Sequence, residues 1–173
     1  MKALSLWQPW ATAIAVGSKG IETRGWPTAY RGPLAIHAAK RKVMSDLRPL
    51  LRDYQWVGAL NKAGWDEWPC REKHIDRLPF GAIVAVADLT DCRPTEAFND
   101  FDLGRPGLPG PIGGHPATLF AWSEEQMGDF APGRFGWVLS NVRPLARPVP
   151  WKGAQGLFTV SDDVVASALE AAE

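Results

Sequence analysis

Close to its start the chain sets Lys19, Glu22 and Arg24 just after Gly17, so that an ammonium, a carboxylate and a guanidinium fall within a few positions of one another. A glycine that closes an apolar helix lets the backbone turn sharply into the next element, which leaves Lys19 at an element edge. If Ile21 to Arg24 is extended, Glu22 and Arg24 share one face while Ile21 and Thr23 share the other. Lys19 lies in the turn, where strand alternation gives no direction. Such a triplet suits two kinds of chemistry. Arg24 can fork onto a phosphate or onto Glu22, and Lys19 can meet a phosphate as a point charge. A partly desolvated lysine can instead act as base or nucleophile, with Glu22 beside it. Against both stands the plainer reading of an exposed turn lysine next to a weak surface ion pair.

Aromatic and basic residues nearby extend the ligand-binding reading. Trp26 comes directly after the triplet, and an aromatic platform contributes about 1–3 kcal/mol per stacked base. Tyr30 is a weaker platform, and Trp7, beside a short apolar helix, reads as core. His37 is mid-strand in an apolar context and reads as a satisfied core histidine. Lys40, Arg41 and Lys42 form a solvated run or a track for a phosphate backbone. Lys152, before Gly153, is placed on a ligand rim or in a plain turn.

These residues need elements to hold them. Pro9 suits a first helical turn, so Trp10 to Val16 reads as a short helix after an apolar Leu4–Leu6 opening, with Gly17 as its stop. Ile21 to Arg24 and Gly32 to Ala38 read as strands. From 45 to 62, Leu47, Leu50, Leu51, Tyr54 and Val57 fall on helical spacing, with Ser45 as N-cap and Pro49 near the first turn. Residues 80–89 (FGAIVAVADL) form the clearest strand, and the Gly/Pro run at 103–116 predicts a loop. Phe135 to Leu139, Leu145 to Trp151 and Leu157 to Val160 read as three further short strands. Pro148 and Pro150 make the second of these an edge strand or an extended segment. Ser161, Asp162 and Asp163 open a last helix through Val164 to Ala172.

Composition bounds the remaining classes. With 173 residues, 46% hydrophobic and 22% charged, the chain can bury a full core as one globular domain. The opening MKALSLWQPW lacks a signal-peptide pattern, and no apolar run reaches the roughly 18 residues of a membrane span; a cytoplasmic protein without membrane contact is expected. Cys70 and Cys92 form no CxxC pair, and the scattered His37, His74 and His115 complete no zinc set. Neither metal nor cofactor is expected. The formal net charge is +0, which argues against indiscriminate polyanion binding. Basic residues nonetheless dominate 1–45 and 134–152, while acids dominate 88–130.

The stretch LSLWQPWATAIAVGSKGIETRGWPTAYRGPLAIHAAK, from Leu4, resembles the ASCH domain, a relative of the PUA fold named after a transcription coactivator. The resemblance rests on Gln8-Pro9-Trp10, on a GxKxxExR motif at Gly17, Lys19, Glu22 and Arg24, and on Arg31-Gly32 leading to Ile36-His37-Ala38. Later, Trp137 before Leu139-Ser140-Asn141 and the Lys152-Gly153-x-x-Gly156 turn are similar to the family's second half. The resemblance implies an α+β, mostly β fold: a small PUA-like mixed β-barrel with peripheral helices. It would form one domain over 1–173, with a helical insertion at about 44–79 and a Gly/Pro loop at about 103–116. It also implies a polar cleft for RNA or a nucleotide, with DNA as a second polymer, lined by Lys19, Glu22, Arg24, Trp26, Gln8, Arg31 and Lys152.

An alternative is a metal-independent hydrolase, acting as a ribonuclease or on a modified nucleoside, with Lys19 and Glu22 catalytic. In one branch of the family that hydrolyses an acetyl amide on cytidine, the motif lysine is paired with a threonine three residues on and a glutamate from a later helix. Here that third position is Glu22, Thr23 falls one place beyond, and Glu96 stands in for the later glutamate. A third reading is a protein-interaction module built on Tyr54, Trp56, Trp65 and Trp68 in the 54–69 segment, an exposed apolar patch if these rings face water.

Overall fold

The computed structural model describes residues 1–65, 70–104, 123–163 and 165–166. The chain forms two compact units, one of Met1–Ser18, Pro33–Ala87 and Val142–Glu173, the other of Lys19–Gly32 and Asp88–Asn141. The fold class is the expected one, a six-stranded mixed sheet with short helices. The strands are β1 (Lys2–Leu6), β2 (Ile21–Arg24), β3 (Gly32–Ala38), β4 (Ala82–Pro94), β5 (Phe135–Pro150) and β6 (Leu157–Thr159). Their order is β2-β5-β4-β3-β1-β6. β1 runs parallel to β3 and antiparallel to β6, and β2 pairs antiparallel with β5.

In the first unit the sheet's apolar face is closed by Ala3, Ala35, Ile83, Val86, Leu145, Val160 and Val165, with Phe158 and Trp151 packed beside them. Leu34–Ala38 of β3 and the start of β4, residues 82–87, are buried without a break, which is why they do not alternate as a half-exposed strand would. The helix α1 (Trp10–Ala15) begins where Gln8 serves it: Gln8 Oε1 accepts from the Thr12 N–H at 3.1 Å and from the Thr12 hydroxyl at 2.9 Å, satisfying an orphan first-turn donor. The helix ends at Gly17, whose φ of 79 suits a residue without a Cβ.

A buried polar seam fastens the Lys152–Gly153 turn to the strands. His37 Nε2 lies 3.0 Å from the Trp151 carbonyl, and Nδ1 lies 2.9 Å from Ser5 Oγ. A carbonyl can only accept, so Nε2 carries the proton and Nδ1 takes the Ser5 hydroxyl's hydrogen bond. A Cβ at Gly153 would fall 2.5 Å from His37 Cε1 and 2.7 Å from Ser5 Oγ. His37 is therefore core, as its context indicates, and desolvation holds its pKa below the ordinary value against the opposing pull of the Trp151 carbonyl.

The 44–79 region is helical but broken, comprising α2 (Met44–Leu47), α3 (Tyr54–Ala59) and α4 (Glu72–Ile75) with 3-10 turns between them. Ser45 does not cap a helix; its hydroxyl bonds Asp46 at 2.9 Å, and α2 starts after Val43 without a side-chain cap. Pro49, which cannot continue an α-helix without losing a bond and clashing, opens a 3-10 turn instead. Asp53 caps α3 through the Gln55 and Trp56 N–H groups.

Among the described residues, the segment's tryptophans, Trp56 and Trp65, are buried. Trp56 packs edge-on against Trp10 with centroids 5.5 Å apart, and Trp65, fully buried, donates from Nε1 to the His74 carbonyl at 3.0 Å. Tyr54 is exposed, while Trp68 lies outside the described residues. Trp7, expected in the core, is 51% exposed; it comes after the last buried position of β1 and turns outward.

The expected break between Leu139 and Leu145 is a bend within one strand, β5. Asn141 takes a φ of 48 there and its amide donates to Asp88 Oδ2 at 3.0 Å, a conformation asparagine tolerates better than most residues. Most of the 103–116 loop and most of the closing helix lie outside the described residues. Among the described residues no helix is long and apolar enough to cross a membrane.

Candidate functional site

β2 pairs with the first half of β5 in the second unit, in a register that sorts its side chains. Ile21 faces Val138, Glu22 faces Trp137, Thr23 faces Gly136 and Arg24 faces Phe135. One face carries Ile21, which packs with Phe98, Leu103, Phe130 and Val138. Thr23 turns to that side too, its hydroxyl accepting from the Asp129 N–H at 3.0 Å. Gly136 is required there, since a Cβ would sit 2.5 Å from the Phe98 ring. The other face carries Glu22, Arg24 and Trp137, the alternation expected of an extended Ile21–Arg24.

On this second face the motif closes into a charged cluster. Lys19 is 1% exposed, and its ammonium donates to the Ile21 carbonyl. Nζ stands 3.8 Å from Glu22 Oε2 and 4.0 Å from Glu124 Oε2. Glu22 Oε1 in turn lies 3.1 Å from Arg24 Nε, whose side chain remains a quarter exposed. Glu124 opens α5 (Glu124–Met127), a helix boxed by Ser123 and Gln126. Its two oxygens accept from the Gly20 N–H at 2.5 Å and the Ile21 N–H at 3.1 Å. Burial pushes the Glu124 carboxyl above the ordinary carboxylate range. The Lys19 charge and the two N–H groups pull it back, and Glu22 adds to the rise.

Sequence reasoning missed Glu124. The glutamate expected to join the lysine, Glu96, is exposed in a 3-10 turn, where it accepts from the Gly133 N–H at 2.8 Å. Backbone hydrogen bonds hold its carboxyl below the ordinary value. A capping-box spacing, Ser123 to Gln126, was the available signal for a helix start with an acid in its first turn.

Trp26 extends the charged face. It is 36% exposed and meets Trp137 edge-on at 4.6 Å between centroids, while Trp137 Nε1 donates to the Trp26 carbonyl at 3.3 Å. Trp137 is itself opposite Glu22, so the indole pair and the charged cluster share one side of the β2–β5 ladder. Arg31 folds back on its own loop, donating to the Thr28 and Tyr30 carbonyls at 2.9 and 2.8 Å and reaching Asp91 at 3.5 Å. Gln8 and Lys152 belong to the first unit. Gln8 is buried, with its Nε2 donating to the Pro79 carbonyl at 2.6 Å, and Lys152 is exposed. Among the described residues no three His, Cys, Asp or Glu side chains gather as a metal site.

A mixed sheet whose motif loop runs from Gly17 through a buried lysine to a Glu–Arg pair defines an ASCH-type module. The family model for the ASCH domain matches residues 4–148, and this chain belongs to that family. It is 31% identical over 98 residues to activating signal cointegrator 1 of Homo sapiens and of Mus musculus. That stretch covers 56% of this chain and 15% of each relative, so most of their length has no counterpart here. The crystal structure of ASCH from Zymomonas mobilis superposes with a TM-score of 0.50 at 16% identity, covering 98% of this chain and 93% of that one. This likeness concerns the fold.

Proposed function

We propose that the chain is an RNA- or nucleotide-binding ASCH module whose contact face in the second unit is presented by Arg24 and Trp26. The observation that carries this reading is the placement of a part-exposed guanidinium and an exposed, braced indole on one side of the β2–β5 ladder. A phosphate suits the first and a base the second. Lys19 and Glu124 serve as the buried frame of this face, because neither has surface left for a phosphate. Trp26→Ala should lower affinity for an oligonucleotide at least about fivefold, the low end of a stacking contact. Arg24→Ala should shallow the salt dependence by about 0.7 per phosphate lost on a single strand. Unchanged affinity and unchanged salt slope in both variants would reject the reading.

A second reading, a metal-independent hydrolase on RNA or N4-acetylcytidine, is favoured by one observation: the buried Glu124 carboxyl, held high, within 4.0 Å of Lys19. A buried carboxyl whose pKa is raised, within reach of an ammonium, is suited to proton transfer. Incubation with either substrate, without added metal, tests it. Turnover indifferent to Glu124→Gln would exclude this pair as the catalytic machinery.

A further inference from the structure

A second polar and aromatic surface lies wholly in the first unit. Because β1 and β3 are parallel, the chain leaves both strands at the same end. The Ala39 N–H donates to the Leu6 carbonyl at 2.8 Å and the Gly81 N–H to the Ala38 carbonyl at 2.8 Å, while the Gln8 amide holds Pro79. These bonds draw the segments around Trp7, Lys40–Lys42 and Phe80 together. The Arg41 guanidinium sits over the Trp7 ring, 5.0 Å from its centroid. Lys42 lies 5.8 Å from the Phe80 centroid and is paired with Asp76 at 2.5 Å, so its charge is already met. Lys40 packs its stem against Gly81. Lys40 and Arg41 are exposed, and neither meets a carboxylate among the described residues. Trp7 keeps half its surface in water even with Arg41 beside it.

We propose that this patch is a contact surface for single-stranded RNA, with Lys40 and Arg41 meeting phosphates and Trp7 stacking a base. Phosphates recruit unpaired cations. Splayed bases stack on aromatic rings and on guanidinium planes, and here the two are already assembled as one platform. An acidic peptide would use the cations and leave the indole idle. The proposal rests on the polynucleotide reading of the Arg24–Trp26 face and deepens it, but it draws on residues that face does not contain.

The test is a titration of fluorescein-labelled oligouridylate and of its abasic counterpart into the full chain, across a salt series. The Lys40→Ala/Arg41→Ala double variant should shallow the salt slope by about 1.4, two single-strand phosphates. Trp7→Ala should weaken oligouridylate binding at least about fivefold and leave the abasic strand unchanged, and Trp7→Phe, which keeps a ring, should retain most of the affinity. An unchanged slope, equal losses on both strands, or displacement of the RNA by polyglutamate as readily as by unlabelled RNA would overturn the proposal. If Arg24→Ala and Trp26→Ala weaken binding while the Trp7, Lys40 and Arg41 variants do not, this patch is excluded and the first face stands. If wild-type protein binds neither strand, both fall.

Discussion

Lys19 Nζ stands 4.0 Å from Glu124 Oε2, and the same carboxylate accepts the N–H groups of Gly20 and Ile21. One side chain from α5 thus neutralises the motif lysine and satisfies the backbone of the bend that carries it. The bend between α1 and β2 is consequently a charged, buried joint rather than a solvent-exposed turn, and that character governs its response to mutation.

Lys19→Ala should be strongly destabilising, because it leaves the buried Glu124 without its cation and Glu22 with Arg24 alone; breaking a buried pair by removing one partner costs about 3–5 kcal/mol. Urea denaturation of the variant measures this. A loss below about 1 kcal/mol, the range of a surface pair, would contradict the buried joint. Any functional assay on Lys19→Ala therefore needs a folding control.

Glu124 accepts one N–H on each of its oxygens, and Glu124→Gln replaces one of those oxygens with an NH2 that would face a donor. A cost of about 1–3 kcal/mol is expected for the unmatched donor. The pH dependence is the sharper readout. Glu124 binds its proton more tightly folded than unfolded, so its contribution falls as pH rises from the ordinary value of 4.5 through the raised folded value. The variant should lose that fall.

His37 works in the opposite direction. Its folded pKa is depressed, so its contribution is intact above the ordinary 6.5 and declines as pH drops toward the folded value, where the unfolded chain protonates first. Urea midpoints of wild type and His37→Gln, compared at neutral and mildly acidic pH, should converge on acidification. Parallel curves would show that the Ser5–His37–Trp151 seam does not titrate with folding.

Gly136→Ala should cost about 1–3 kcal/mol, the usual range for overpacking, because the new methyl meets the Phe98 ring at 2.5 Å. Phe98→Leu in the same chain should recover part of the loss. Additive losses in the double variant would separate the two positions.

The strands are legible in the sequence where burial leaves a clear mark. Gly32–Ala38 can be read to the residue, because it begins at a glycine and ends just before charge resumes, whereas Ile21–Arg24 matches its expected bounds but is too short for periodicity to mark. β5 cannot, since Ser140-Asn141 is written like a turn and becomes a bend inside a strand. The helical spacing from Leu47 to Val57 is genuine as a record of burial, but Pro49 cuts it into separate turns. Of the candidate site, Lys19, Glu22 and Arg24 stand out through their spacing. Glu124 does not, because its capping-box spacing marks a helix start and nothing local ties that helix to a lysine far along the chain. Trp7 reads as core by the company it keeps, although the strand carrying it has already ended.

The glycine at 153 is a place where an atom is missing on purpose: the imidazole of His37 and the hydroxyl of Ser5 fill the volume that a methyl would take. The two positions therefore cannot drift separately. In a library randomised at 37 and 153 together, survivors should trade volume between them, a bulkier residue at one accompanied by a smaller residue at the other, and the exposed lysine next door would be carried along with whichever solution the pair adopts.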